Sequence, residues 1–167
     1  MICLSGKDSF VIYHDQISKK NKLFIGKWKL IDSKFEINNS SFICNIFNND
    51  SYILDNLPIP IEDEIIIQQP SYFEEKNISK TEYHNGINNI IKLCKDKILE
   101  KCIISRIVKV NYLSNNYYKI FQELCDTYQE GFKYILNHPK FGMWIGISPE
   151  TLISGNQQKG FYTHSLA

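Results

Sequence analysis

Short apolar runs, each closed off by a polar turn cluster, fill the first third of the chain and leave room for little except antiparallel β-structure. Phe10–Tyr13 is one such run, Leu23–Leu30 begins solid and then alternates, and Ser41–Phe47 and Tyr52–Leu54 follow. Asn38-Asn39-Ser40 and Asn48-Asn49-Asp50 stand between them. Asn, Asp and Ser favour turns because their side chains bond nearby backbone. Leu57-Pro58-Ile59-Pro60 excludes regular helix, since proline disfavours the helical region in the residue before it. Ile65–Ile67, after Glu62-Asp63-Glu64, reads as a further strand or an exposed connector.

Beyond residue 78 the period of the pattern changes. Ser79-Lys80-Thr81-Glu82 is a capping box, in which the serine hydroxyl accepts from the N3 amide and the glutamate reaches back. Tyr83, Ile87, Ile90, Ile91, Cys94 and Ile98 then recur at helical spacing, which predicts a helix from about Thr81 to Leu99 despite Gly86. Cys102–Val110 reads as a strand, with Lys101 at the junction. Tyr117, Ile120, Phe121, Leu124 and Tyr128 mark a second helix, with Gly131 as its terminator. Phe132–Leu136 and Met143–Ile147 form a hairpin, and Thr151–Ser154 and Phe161–Leu166 are two short strands joined by the turn Gly155–Gly160. The expected fold is α+β, an antiparallel sheet with packed helices. It forms one domain over 1–167, β-rich over 1–78 and carrying the informative motifs over 79–167.

Bulk chemistry excludes several classes. A formal net charge of +1 gives no electrostatic footprint for nucleic acid. No apolar stretch is long enough to span a bilayer, and the first residues lack a basic, then apolar, leader pattern. Cys3, Cys44, Cys94, Cys102 and Cys125 are odd in number and form no C-x-x-C pair, which predicts buried, reduced thiols in a soluble cytoplasmic protein. His14, His84, His138 and His164 are scattered without metal-ligand spacing and read as surface or packing residues. The aromatic residues, Trp28 and Trp144 among them, are most simply core. Glu62-Asp63-Glu64 can attract a cation, but an acidic loop is ordinarily just solvated.

Two ionisable residues at the edges of apolar runs stand out. In a strand, Lys101, Ile103, Ser105 and Ile107 share one face, and Cys102, Ile104, Arg106 and Val108 the other. A lysine among apolar neighbours sheds solvation and becomes a base. A solvated lysine, by contrast, is neutral in only about one molecule per thousand near neutral pH. The ordinary alternative for Lys101 is a solvated lysine favoured by the carbonyl end of the preceding helix. Arg106 lies on the opposite face, where structural pairing is its simpler role. Glu150 follows Ser148-Pro149 at the end of an apolar strand, and Pro149 ends ladder pairing there. Apolar surroundings can raise a carboxyl pKa and make it an acid, and an ordinary turn glutamate is the alternative.

Taken in order, the motifs resemble those of the chorismate-utilising enzymes. Lys101-Cys102-Ile103-Ile104-Ser105-Arg106 is similar to their Lys strand, and Gly142–Glu150 to their strand ending in Gly-Ala-Ser/Thr-Pro-Glu. Phe161–Ala167 is similar to the strand that reads through Leu-Ala to Gly. The resemblance covers Ser79–Ala167 well and the N-terminal third loosely. It implies one half of a two-part α/β sandwich, with chorismate as substrate. Lys101 would be the base that activates water at C2, and Glu150 the acid that assists loss of the C4 hydroxyl. Ser165, Leu166 and Ala167 would lie at the substrate. Relatives that use ammonia carry Gln at the Lys101 position. Lysine therefore points to the water-using enzymes, isochorismate synthase first and salicylate synthase second.

The resemblance further implies Mg²⁺, with ligands beyond Ala167 and none within the chain. Such a chain is expected to be a truncated portion, completed by a second half, self-associating through an uncovered sheet face, or retained as a non-catalytic interaction module. Ile147 departs from the family's small alanine, so it either narrows the pocket or repacks it.

Overall fold

The computed structural model describes residues 1–32, 40–45, 50–68, 78–108, 114, 116–149, 154–156, 158 and 160–163. They divide into two compact units, one formed by Met1–Phe73 with Ser114–Ala167 and the other by Glu74–Leu113. The elements in chain order are Ile2–Leu4 (β1), Phe10–Asp15 (β2), Lys20–Ile25 (β3), Lys29–Leu30 (β4), Phe42–Asn45 (β5), Ser51–Leu54 (β6), Ile59–Pro60 (β7) and Ile65–Ile67 (β8). Two helices follow, Lys80–Lys95 (α1) and Tyr117–Thr127 (α2), then Phe132–His138 (β9), Gly142–Ser148 (β10), Ser154–Asn156 (β11) and Gly160–Tyr162 (β12). The α+β fold with antiparallel sheet is the one the sequence patterns predict.

The first unit is organised around a five-stranded antiparallel sheet in the order β10-β9-β2-β3-β7. Its centre explains the unbroken run Phe10-Val11-Ile12, which is fully buried on both faces. Phe10, Ile12, Leu23 and Ile135 pack on one side with Tyr117, Tyr118 and Phe121 of α2 and with Leu4, Ile65 and Ile67. Val11, Phe24 and Leu136 pack on the other with Leu54 of β6, which belongs to the three-stranded sheet β4-β6-β5. Each buried large side chain contributes about 1.5–3 kcal/mol, so these clusters supply most of the drive to fold. β1 and β8 pair in parallel, with Ile2 opposite Ile65. This pairing over 60 residues of sequence separation carries no local signal.

Asn116 joins the helix to the strands. As N-cap of α2 its Oδ1 accepts from the Tyr118 amide at 3.0 Å and from the Ile67 amide at 3.1 Å. Its Nδ2 donates to the Ile65 carbonyl at 3.0 Å. The β9–β10 hairpin forms as expected, with register Gly142 opposite His138 through Ser148 opposite Phe132. Gly142 takes φ +74° where the chain re-enters the sheet, a value that favours glycine.

In the second unit the capping box is realised. The Ser79 hydroxyl accepts from the Glu82 amide at 3.1 Å, and the Glu82 carboxylate accepts from the Ser79 amide at 2.8 Å. The helix stops at Lys95, four residues earlier than expected, because Lys97 adopts φ +58° and the amides of Lys97 and Ile98 turn back to Cys94 and Leu93.

Several expectations are corrected. Residues 102–108 form no strand, and residues 109–110 lie outside the described set. A strand needs a neighbour to take its amides and carbonyls, and no described strand runs beside this segment. Leu23–Leu30 is two strands, because Gly26-Lys27-Trp28 leaves the ladder. The cap of α2 is Tyr128 rather than Gly131, which instead starts the approach to β9 at φ +88°. β11 and β12 include Gly155 and Gly160, so the intervening turn is shorter than expected, while Thr151–Ile153 and His164–Leu166 lie outside the described residues. All five thiols are free, but Cys3 and Cys102 are exposed and the other three are only half-buried. Trp144 is 52% exposed rather than core, its Nε1 donating to the Phe141 carbonyl at 2.8 Å.

Candidate functional site

Lys101 is exposed in the irregular segment that follows α1. The predicted alternation of faces holds only over residues 103–107, since Cys102 and Val108, expected on the inward face, are exposed. Ile104 and Arg106 are half-buried, while Lys101, Ile103, Ser105 and Ile107 face outward. The inward pair is held by α1. Tyr83 donates its hydroxyl to the Ile104 carbonyl at 3.4 Å, and the Arg106 guanidinium stands 6.0 Å from the Tyr83 ring centroid, within cation–π range. Gly86 has its reason here as well: a Cβ on it would come within 3.1 Å of the Ile104 side chain. Arg106 is thus a structural partner, as its face implied. Among the described residues no apolar enclosure surrounds Lys101, and Ile103 near it is 85% exposed, as the solvated alternative implies.

The strand carrying the second motif is β10, at the edge of the five-stranded sheet. Met143 and Ile145 pack on the core beneath α2, while Gly146 sits opposite Tyr134 on β9. Ile145, Gly146 and Ile147 form one wall of an open cleft of about 440 Å³, and Ile120 and Leu124 of α2 with its cap Tyr128 form the other. Ile147, where the resemblance implies a small alanine, is part of the lining of this cleft. It also presses on Gly131, where a Cβ would stand 2.8 Å from Ile147 Cγ1. The larger side chain at 147 is therefore accommodated by a glycine at the start of β9. Pro149 is exposed at the strand end. Glu150, Ser165, Leu166 and Ala167 lie outside the described residues.

Several polar residues that no motif flagged are buried in the first unit. Lys133, 1% exposed, sends its ammonium to the Gln129 carbonyl at 3.3 Å just past the end of α2. His138, 2% exposed, stacks on Phe141 with ring centroids 3.8 Å apart and meets Tyr52 edge-on at 4.5 Å. Its Nδ1 accepts from the Lys140 amide at 3.0 Å. Burial, reinforced by the Lys140 charge, holds this imidazole down at about 4, so it is a neutral packing group at ordinary pH. No local pattern marks such residues, because aromatic neighbours from β6 and the hairpin turn assemble only in three dimensions.

Among the described residues no three His, Cys, Asp or Glu side chains are grouped so as to hold a metal ion. Asp63 of the acidic run pairs with the N-terminal ammonium at 3.4 Å, in the open. The described residues do not fit an Mg²⁺ site. No helix among them is long and apolar enough to cross a membrane.

In sequence, β10 runs on from Gly146-Ile147-Ser148 into Pro149-Glu150 and a lysine segment precedes it, an order of motifs that resembles enzymes acting on chorismate. The chain belongs to the chorismate binding enzyme family, which matches it over residues 30–167. The match reaches back through β4–β8, well before Ser79, where the motif resemblance becomes clear. No curated protein and no solved structure matches the chain.

Proposed function

We propose that the chain carries the isochorismate synthase reaction, in the cytoplasm. The observation behind this reading is lysine at position 101, at the head of the segment where ammonia-using relatives carry glutamine. The neutral Lys101 amine takes a proton from water as its oxygen bonds to C2 of chorismate. The two conjugated ring double bonds each move one position, and the C4–O bond breaks. Glu150 gives its proton to the departing hydroxide, which leaves as water. One water enters and one leaves, so the reaction is an isomerisation. Both residues are needed, because water is a poor nucleophile and hydroxide a poor leaving group. Ser165, Leu166 and Ala167 line the substrate in this reading. Mg²⁺, when bound, would neutralise a substrate carboxylate, and no step here is assigned to it.

The exposure of Lys101 favours one further feature. A base that works by desolvation needs a cover, so a complementing second part or another copy of the chain completes the site. Incubating the purified protein with chorismate and Mg²⁺, and resolving the products by chromatography, tests the reading. Isochorismate supports it. Aminated product made with ammonia, or pyruvate release, moves the chain to the other chorismate converters.

A further inference from the structure

The two edges of the five-stranded sheet are built differently. β7 closes one side with two residues, one of them Pro60, and Pro58 stands just before it. Short, proline-bearing edges resist further pairing, because proline offers no amide to a ladder. β10 closes the other side with seven residues, among which there is neither a proline nor a charged side chain. Its register with β9 runs residue for residue from end to end, so no bulge turns it away. Among the described residues no strand pairs with its outer side. Every second residue of an antiparallel strand turns its amide and carbonyl away from its neighbour, so a row of these groups faces outward between Met143 and Ile147.

Side chains along this edge differ in size as well as in face. Met143 and Ile145 pack on the core beneath α2, and alternation puts Ile147 on that face and Trp144 and Gly146 on the other. Trp144 is half-exposed, and its only polar atom donates to the Phe141 carbonyl, so the rest of the indole is a bare apolar surface. Gly146 has no side chain, and the Tyr134 ring lies across it. Antiparallel pairing of two copies about Ile145 sets Trp144 beside Gly146 of the second copy, where the indole meets the Tyr134 ring, and sets Met143 beside Ile147. Centring the pair on residue 144 or 146 instead puts indole against indole or glycine against glycine. In the first register odd positions meet odd and even meet even, so the outward amides and carbonyls of the two strands are in phase. With no charge in either strand, no like charges are brought together.

We propose that β10 is a self-association edge, at which two copies of the chain pair antiparallel through Met143–Ile147, centred on Ile145, and join their sheets into one. The large residue at 144 and the absent side chain at 146 make the edge complementary to itself, and an uncharged edge offers nothing to select a charged extended peptide. The pairing does not depend on any reaction at Lys101.

Sedimentation equilibrium of the full chain over a series of concentrations is the first measurement. The expected result is a monomer–dimer equilibrium that Trp144→Lys, which puts a charge on the edge, weakens about tenfold or more. Thermal unfolding of the variant checks that it is folded. Isotope-filtered NMR of labelled chain mixed with unlabelled chain reads the register, with contacts expected between the Trp144 indole of one copy and Gly146 of the other. Amide exchange should slow in β10 as the dimer forms and stay unchanged in β7. A chain that is monomeric at every concentration overturns the proposal, as does a dimer that Trp144→Lys leaves intact or one whose indole contacts lie elsewhere.

Discussion

The Tyr134 ring lies across Gly146. These two residues are opposite each other in the β9–β10 ladder, and a Cβ on Gly146 would stand 3.0 Å from the Tyr134 hydroxyl oxygen and 3.1 Å from Cζ. The glycine in the strand motif is therefore required by a neighbouring aromatic side chain, not by an unusual backbone angle. Gly146→Ala is expected to destabilise the protein by about 1–2 kcal/mol, the ordinary cost of overpacking. Tyr134→Leu in the same chain should return most of that loss. Urea denaturation midpoints of the two single variants and the double variant measure the coupling.

His138 makes stability depend on pH. Its folded value, about 4, lies below the ordinary 6.5. The unfolded chain therefore takes up the proton first as pH falls. The stabilisation is complete above about 6.5, declines as pH drops from there, and is fully lost below about 4, a change of at most about 3 kcal/mol. His138→Phe should flatten this window at the cost of the Lys140 amide's acceptor. Thermal unfolding at a series of pH values between 4 and 7 reads the slope in both proteins.

Asn116 carries three hydrogen bonds that tie α2 to β8. Asn116→Ala leaves two backbone amides and a carbonyl without partners. It should cost about 2–3 kcal/mol, more than a simple helix cap. Asn116→Asp restores the acceptor but not the donor to Ile65, so it should recover only part. Amide hydrogen exchange at Ile67 and Tyr118 locates the effect.

The capping box at α1 is exposed, so its contribution is local. Ser79→Ala should lower the stability of α1 by about 1 kcal/mol. The readout is faster exchange of the Glu82 amide, with the core of the first unit unchanged.

How legible each of these features was depends on how local its cause is. The α1 cap, its apolar spacing and the β9–β10 hairpin are set within a few residues and could be read directly. Lys101–Val108 had the alternation of a strand, and its inward residues Ile104 and Arg106 do turn inward, but onto α1 rather than into a ladder. Alternation specifies two faces; only a neighbour makes a strand. The β1–β8 pair, the buried Lys133 and the aromatic setting of His138 depend on partners far away in sequence. Ile147 was legible as a departure from the family pattern. That Gly131 makes room for it was not, because the two residues meet only when β9 and β10 pair. Lys101 was identified by its place in a motif, and its exposure is the point at which motif and local environment part.

The central claim is that Lys101 is the base of a water-using chorismate isomerisation. Chromatography of products formed from chorismate and Mg²⁺, for the protein and for Lys101→Ala, tests it most directly. The account predicts isochorismate from the former and a loss of about a hundredfold or more from the variant, the scale of a general base. Isochorismate formed equally well by Lys101→Ala would contradict it.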